Sequence, residues 1–395
     1  MTDHIRIGMI GAGFLAETRA RCYAKVSGIK AEIVAVAART EQRSQDYARR
    51  HNVANVFSDY HDLLASPDID FVDLCVPNHM HRVMAEEAAQ VGKHIVCTKP
   101  LTAYVGQDLS ESERDSVAGV PRQQMLDVAL SEAQKMVDAA ARHDVQLMYG
   151  ENWIYAPAIQ RAAELMLASG GTILEMRGGE CHKGSHSPFS KEWLHTGGGA
   201  LIRLGAHPIG AMLYLKQQEG LNRNGTPIRA VAVTAEVADT SQIAAPEFNA
   251  TATGWQDVEN WAAAIVHFDD GSRSIVYASD TVLGGMESQL EIFMSNAHMK
   301  CNLSPNNLLQ AYAPNPQVFG DKYIIEKGDG GAGWTTPMPD EDWTSGHLAM
   351  CQDFVEAVAQ DQAALGTGQL GLDVLRVVYG GYLSASRGSR VEIPV

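Results

Sequence analysis

Lys99 stands at the end of a predicted strand, where a lysine is either a surface cation or a catalytic group. Residues 95–97 form an apolar run, and Thr98-Lys99-Pro100 follows it directly. Because proline has no N–H for a sheet and biases the residue before it away from helix, we expect the strand to end here with Lys99 extended. Ligands of open α/β sheets bind at the carboxyl ends of strands. The lysine is therefore a candidate for contact with a bound ligand.

A second stretch with chemically active side chains ends at His207. Its members are His182, His186, Lys191, Trp193, His195, Arg203 and His207. Three glycines at 197–199 precede an apolar segment, and such a run lets the chain pass close to a ligand. Arg203 and His207 are four residues apart, so on a helical turn they would share one face. Because histidine titrates near neutral pH, His207 is a candidate general acid–base group.

The histidines of this stretch do not have the spacing of a metal site. The sequence contains no H-E-x-x-H motif and no cysteine cluster at zinc spacing, so we predict no metal. It also contains no G-x-S-x-G elbow, which disfavours nucleophilic hydrolysis by a serine.

A glycine-rich turn near the start of the chain predicts dinucleotide binding. Residues 5–10 read as an apolar strand, and residues 11–16 follow as Gly-Ala-Gly-Phe-Leu-Ala before a predicted helix. Gly11 permits the tight turn, and Gly13 lets the backbone approach a pyrophosphate at the helix N-terminus. Ala16 permits close packing of the helix on the strand.

The end of the second predicted strand bears on the choice of cofactor. Ala38 stands where an NAD-binding fingerprint would place an acidic residue, and Arg39 follows it. A missing carboxylate beside an arginine suits a 2′-phosphate, which favours NADP over NAD. Alternatively, Arg39 stacks on the adenine and either cofactor binds.

A further predicted strand, residues 70–76, leads into Pro77, Asn78 and His81. Asn78 either contacts the ligand or caps the helix that follows. The predicted cofactor contacts are Gly11, Gly13, Phe14, Leu15, Ala38, Arg39, Pro77, Asn78, His81, Thr98 and Lys99.

The elements that must position these residues fall into two parts. Residues 1–149 alternate strands and helices, which predicts an α/β Rossmann domain with a doubly wound, mostly parallel sheet. Residues 103–121 interrupt this alternation as an insertion, either a tolerated surface loop or a flap or oligomer contact. Residues 150–395 contain a run of predicted strands at 174–182, 230–238, 260–268, 272–278 and 289–293, with a hairpin signal at Asp270-Gly271. This order predicts an α+β domain with an antiparallel or mixed sheet.

Composition narrows the class of partner. The formal net charge is −16, which disfavours nucleic acid and anionic membranes. The six cysteines form no C-x-x-C pair and read as reduced thiols of a cytoplasmic protein. No apolar run approaches the roughly 18 to 20 residues of a membrane span, and the N-terminus does not resemble a secretion signal.

Together these motifs resemble the glucose–fructose oxidoreductase / inositol dehydrogenase family, Gfo/Idh/MocA. The resemblance is carried by residues 11–16, 76–81, 97–100 and 197–207, and by the tail at 346–347 and 382–386. It implies a Rossmann domain followed by a domain with an open, largely antiparallel sheet, whose face commonly forms a dimer or tetramer interface. It also implies oxidation or reduction of sugars, polyols and related compounds with NAD or NADP.

The resemblance assigns Lys99 to the family's E-K-P lysine and His207 to its D-x-G-x-H histidine. Two residues depart from these motifs: Thr98 replaces the glutamate and Arg203 replaces the aspartate. We therefore expect the carboxylate beside His207 to be missing and the arginine to disfavour protonation of the imidazole. Alternatively, Arg203 faces the substrate and binds the carboxylate of a sugar acid.

The predicted reaction transfers a hydride between the nicotinamide and a hydroxyl or carbonyl carbon of a sugar, polyol or sugar acid. Lys99 would stabilise charge on the reacting oxygen, and His207 would take or supply the proton. Arg203 is the third predicted catalytic residue. The predicted substrate contacts are Trp153, Tyr155, His182, His186, Arg203 and His207. Two alternatives stay open: a cofactor-assisted glycoside hydrolase of the same family type, and a non-catalytic cofactor-sensing regulator.

Overall fold

Six short apolar segments of the first 150 residues form a parallel sheet. The computed structural model describes residues 2–185, 187–304, 308–320 and 332–394. The strands are β1 (His4–Ile10), β2 (Lys30–Ala37), β3 (Asn55–Phe57), β4 (Phe71–Leu74), β5 (His94–Thr98) and β6 (Leu147–Gly150). Their spatial order is β3-β2-β1-β4-β5-β6, and every pair is parallel. The order reverses direction between β1 and β4, which is where doubly wound sheets bind ligands.

Helices connect these strands and cover the sheet. Those of the first part are α1 (Phe14–Tyr23), α2 (Glu41–His51), α3 (Tyr60–Leu64), α4 (His81–Gln90) and α5 (Arg122–Arg142). All four residues of β4 are buried, as expected of a strand covered on both faces. The predicted doubly wound α/β fold is confirmed.

The second sheet has seven strands and is mostly antiparallel. Its strands are β7 (Ile173–Cys181), β8 (Ala230–Ala238), β9 (Trp261–Phe268), β10 (Arg273–Ser279), β11 (Glu287–Met294), β12 (His298–Asn302) and β15 (Val391–Glu392). Their order is β12-β11-β7-β10-β9-β8-β15, and β7 with β10 is the parallel pair. Asp270 and Gly271 form the predicted turn between β9 and β10, with Gly271 at φ +92°. Two further strands, β13 (Ala311–Ala313) and β14 (Gly333–Thr335), pair separately.

The remaining helices lie against both sheets. They are α6 (Pro157–Ser169), α7 (Trp193–Thr196), α8 (Ala200–Arg203), α9 (Ala206–Asn224), α10 (Glu341–Thr344), α11 (His347–Gln360) and α12 (Gly368–Arg387). α12 packs on α5, α9 and β8, whereas α11 packs on α1 and β1. The boundary predicted between residues 149 and 150 falls at the last residue of β6, Gly150, and α11 returns to the first sheet. The division into two domains stays a prediction.

The insertion at 103–121 begins inside the protein. Residues 101–106 are buried, and the carbonyl of Tyr104 accepts a hydrogen bond of 3.0 Å from the indole of Trp193. The N–H of Tyr104 donates to the hydroxyl of Tyr379 at 2.6 Å. The segment turns outward from residue 107 and forms a 3₁₀ helix, Glu111–Gly119. Its first residues therefore join the two halves of the molecule.

Within the described parts of the chain, no helix combines the length and apolar character that crossing a membrane requires.

Candidate active site

A cavity of about 1010 Å³ opens between the two sheets. Its walls come from the start of α1, the ends of β5 and β6, the end of β7, the segment 203–207 and the segment 338–347. Lys99, Arg203 and His207, the three predicted catalytic residues, all line it. Strand ends from both sheets thus bring the predicted chemistry to one place.

The glycine turn at one end of this cavity has the geometry that a pyrophosphate needs. Gly11 has φ +108°, and a Cβ there would lie 2.2 Å from the carbonyl oxygen of Cys75. A Cβ at Gly13 would meet nothing within 4 Å, and no side chain caps the helix that starts after it. The first turn of α1 therefore presents its backbone N–H groups to an open space. Phe14 is 75% exposed and, with Leu15, lines the same space.

The other predicted cofactor contacts follow strands at this edge of the first sheet. Ala38 is half-buried directly after β2, and Arg39 is exposed. Pro77 is exposed after β4. Asn78 caps no helix: its side-chain amide donates to the carbonyl of Thr196 at 3.2 Å and so links the two halves. Part of its hydrogen-bonding capacity is thus used within the protein.

The prediction that His81 contacts the cofactor is wrong. Its side chain is fully buried, with Nδ1 3.1 Å from the carbonyl of Leu101 and Nε2 3.0 Å from the carbonyl of Val76. The imidazole instead connects the backbone that follows β4 to the backbone that follows β5. A histidine in the first turn of a helix gives no sequence signal that separates these two roles.

Lys99 points from the first sheet to the second. Its Nζ donates to the backbone carbonyl of Arg203, and Thr98 beside it also lines the cavity. Lys99 therefore links the end of β5 to the segment that carries Arg203.

The expectation that His207 has no carboxylate partner is wrong. Its Nδ1 lies 2.7 Å from Oε1 of Glu151, a residue directly after β6. The exposed fractions of His207 and Glu151 are 7% and 0%. The imidazole also stacks on the indole of Trp153, with ring centres 6.0 Å apart and planes 13° apart. Glu151, from the end of the first sheet, therefore supplies a carboxylate for the histidine although Arg203 replaces the aspartate of the motif.

Arg203 does not share a helical face with His207. The helix breaks at Leu204 and Gly205, so the arginine ends α8 and the histidine lies in α9. The guanidinium pairs with the carboxylate of Asp280, directly after β10, and its carbon lies 5.2 Å from the centre of the Trp255 ring. The positive charge of Arg203 is therefore compensated by a buried acid.

The other four predicted substrate contacts divide into three groups. Trp153 and His182 line the cavity, and both are nearly buried. The prediction for Tyr155 is wrong, because its ring is buried and its hydroxyl donates to Asp353 at 2.8 Å, outside the cavity. His186 lies outside the described residues.

Several residues at this site were missed from the sequence: Arg19, Glu180 and His347 line the cavity. Glu151 and Asp280 lie behind it and pair with the lining residues His207 and Arg203. Arg19 is buried in α1, with its Nε 3.3 Å from Oδ2 of Asp73. Burial, reinforced by Arg19, His207, Arg21 and Lys99, lowers the pKa of His347 to about 3. Glu151 and Asp280 directly follow strands, so the strand-end rule that selected Lys99 could have selected them too.

Comparison with known proteins gives the same assignment for both halves. Residues 5–115 match the model of the oxidoreductase family with an NAD-binding Rossmann fold, and residues 160–300 match the GFO/IDH/MocA C-terminal domain. The uncharacterized oxidoreductase YrbE of Bacillus subtilis is 23% identical over 100% of this chain and 98% of its own length. Levoglucosan dehydrogenase of Pseudarthrobacter phenanthrenivorans is 28% identical over 54% of this chain and 51% of its own length.

Solved structures share the fold at low sequence identity. GenD2 from gentamicin A biosynthesis, in complex with NAD, has a TM-score of 0.79 at 21% identity and covers 100% of this chain and 98% of its own. Levoglucosan dehydrogenase with NADH and L-sorbose has a TM-score of 0.73 at 22% identity, with both chains covered completely. From its two matched domains and the cavity between its two sheets, this chain belongs to the Gfo/Idh/MocA oxidoreductase family.

Proposed function

We propose that this protein is an NAD(P)-dependent oxidoreductase that interconverts a CH–OH group and a carbonyl in a sugar or polyol. The observation that carries the proposal is the meeting of Lys99 and His207 at one cavity that begins at the glycine turn of α1. Relatives named as levoglucosan, D-apiose and scyllo-inositol dehydrogenases support the substrate class.

The residues around the cavity divide the work of this reaction. A bound nicotinamide cofactor accepts or supplies the hydride. The first turn of α1 binds the pyrophosphate, and Lys99 donates a hydrogen bond to the reacting oxygen and stabilises charge that develops there. His207 takes the hydroxyl proton during oxidation and returns it during reduction.

The pairing of Arg203 with Asp280 favours neutral substrates over sugar acids. An arginine whose charge is balanced by a buried carboxylate offers less attraction to a second carboxylate than an unpaired arginine does. Around it, Asn152 and His182 supply polar groups suited to hydroxyls, and Trp153 supplies an apolar ring face. We therefore favour a neutral sugar or polyol, with sugar acids as the second class.

At the end of β2, alanine stands at position 38 where an NAD-binding fingerprint has an acidic residue, and Arg39 beside it is exposed. Both features favour NADP over NAD as the cofactor. Complexes of structural neighbours with NAD and NADH leave NAD as the alternative.

The test is a panel of sugars, polyols and sugar acids with NAD and with NADP, read by nicotinamide absorbance. We expect reduction of the cofactor with neutral polyhydroxy compounds, and a higher kcat/KM with NADP. Glycoside cleavage without net cofactor reduction would contradict the proposal and favour the cofactor-assisted hydrolase. Tight cofactor binding without turnover of any compound would favour the regulator.

The protein is also proposed to be a homodimer or homotetramer, formed through the outer face of the second sheet. Along β9 and β10 this face exposes Ile265 (41%), Ile275 (39%) and Tyr277 (37%). Ile265 and Ile275 lie directly opposite each other in the antiparallel register, which makes the apolar surface continuous.

A further inference from the structure

We propose that Glu151 and His207 act as one acid–base pair across the two sheets, with Glu151 as the positioning residue. The inference rests on the proposed oxidoreductase function. Glu151 follows the last strand of the first sheet, and His207 is the second residue of α9. The distance of 2.7 Å between Oε1 and Nδ1 is that of a strong, charge-assisted hydrogen bond.

The carboxylate is held in place from two sides. Oε1 of Glu151 also accepts the backbone N–H of Trp153 at 3.1 Å, so the glutamate caps the short helix Asn152–Tyr155. On the other side, a Cβ at Gly210 would lie 2.8 Å from Cγ of Glu151. Gly210 is three residues after His207 and on the same face of α9, so the missing side chain makes room for the acid. The short helix Asn152–Tyr155 and the glycine of α9 thus both accommodate the contact between Glu151 and His207.

This contact selects the ring nitrogen that exchanges the proton. When Nδ1–H donates to Glu151, a neutral imidazole carries no proton on Nε2, and this nitrogen is the acceptor. During oxidation, Nε2 would accept the hydroxyl proton of the substrate while the C–O bond becomes a carbonyl, and an oxidised nicotinamide bound in the cavity would supply the acceptor for the C–H hydride. The buried carboxylate stabilises the imidazolium that forms.

The pair also explains how Arg203 can replace the acid of the histidine motif. The other ionisable groups that line the cavity are Arg19, Arg21, Lys25, Lys99, Glu180, His182, Arg203, Asp340, Glu341, Asp342 and His347. The charge of Arg203 is balanced by Asp280, which lies beyond it on the second sheet. Glu151 supplies the negative charge next to the histidine from the opposite side.

The test replaces Glu151 with Gln and with Asp, and uses Glu164→Gln as a control. Glu164 lies on α6 with a side chain that is 65% exposed. We expect E151Q to lower kcat roughly 10²- to 10³-fold with little change in KM, since an orienting carboxylate contributes on that scale. The acidic limb of the kcat–pH profile should move to lower pH, because the protonated histidine loses its partner. E151D should recover part of the activity, and E164Q should match the wild type.

A readout without substrate separates this inference from the proposed function. Long-range ¹H–¹⁵N spectra of the histidine rings should show His207 protonated on Nδ1 in the wild type and a mixed population in E151Q. An unchanged tautomer together with a wild-type kcat and pH profile in E151Q would overturn the pair. Equal losses in E151Q and E151D with an unmoved pH profile would also overturn it and indicate a structural role. Absence of turnover in the wild type would refute the oxidoreductase proposal, while the spectra would still test the pair.

Discussion

Charge compensation decides what each ionisable side chain in the cavity can do. Arg203 and His207 are both cations or potential cations, and each meets an acid from a different strand end: Asp280 after β10 and Glu151 after β6. A buried charge without a partner is costly, so these acids are expected wherever such side chains are enclosed. The arginine therefore does not leave the histidine without a carboxylate.

Replacement of Lys99 with Met should remove turnover and spare cofactor binding. Methionine keeps the length of the side chain and lacks the donor for the reacting oxygen, which corresponds to a loss of at least roughly 10²- to 10³-fold in kcat. Cofactor affinity is measured by fluorescence titration and turnover by nicotinamide absorbance. Lys135→Met, at an exposed position of α5, is the control. Near-wild-type turnover of K99M would remove Lys99 from the mechanism.

The neutral imidazole of His347 should make the fold sensitive to acid. Burial holds its pKa at about 3, well below the ordinary value, so only the unfolded chain binds this proton in mild acid. Stability is then lost as the pH falls below about 6.5, by about 2 kcal/mol at about pH 5 for this one group. Urea unfolding at these two pH values should show a smaller loss in His347→Asn. Equal losses in the two proteins would contradict the assignment, because all other histidines are common to both.

At the scale of elements, the glycine turn before α1 has two separable tasks. A Cβ at Gly11 would strike the carbonyl of Cys75 at a positive φ, whereas a Cβ at Gly13 would enter open space. Gly11→Ala should therefore lower both the free energy of unfolding and the cofactor affinity. Gly13→Ala should weaken cofactor binding with little change in stability, because its Cβ obstructs only the ligand.

The measurement is thermal unfolding together with a cofactor titration for each variant. Gly119→Ala is the matched control, since a Cβ there also meets nothing within 4 Å and the residue lies far from the turn in sequence. Normal cofactor affinity in G13A would show that the pyrophosphate does not approach this turn.

The glycine run at 197–199 brings the chain close to another part of the protein rather than to a ligand. A Cβ at Gly199 would lie 1.8 Å from the carbonyl oxygen of Glu259. The buried carboxylate of Glu259 accepts the N–H groups of Gly199 and Leu201, each at 2.9 Å, and the hydroxyl of Tyr382 at 2.8 Å. These bonds hold the start of α8 and so fix the segment that carries Arg203 and His207.

At the scale of the whole molecule, the cavity depends on the docking of the two sheets. The bonds from Lys99 to Arg203 and from His207 to Glu151 each join one sheet to the other. α11 closes the same cavity with His347 at its start while packing on α1 of the first sheet. A shift between the halves would therefore break both bonds at once, the one between Lys99 and Arg203 and the one between His207 and Glu151.

The outer face of the second sheet should control the oligomeric state. The double variant I265E/I275E places two like charges opposite each other on the apolar surface, which opposes association of copies through it. Light scattering after size exclusion should give a monomer mass for this variant and a dimer or tetramer mass for the wild type. Leu221→Glu, at an exposed position of α9, is the control. A monomeric wild type, or an unchanged mass in the variant, would contradict the proposed interface.

The sequence alone was sufficient to predict the fold class, the glycine turn and the positions of Lys99 and His207 at one cavity. These depend on local patterns: the alternation of strands and helices, glycines at fixed spacing, and polar residues directly after apolar strands. Predicted strand positions in the second half also agree closely with the structure; β8, for example, spans Ala230–Ala238 as expected.

Only the tertiary structure decided which side chains meet. Glu151 and His207 are 56 residues apart, and Arg203 and Asp280 are 77 apart, so no periodicity in the sequence relates the partners. Tyr155 lies two residues after Trp153, which lines the cavity, and His81 starts the helix after β4, yet packing turns both into the interior. Short-range patterns determine the elements and their ends, whereas burial, pairing of charges and the orientation of a ring depend on how distant elements pack.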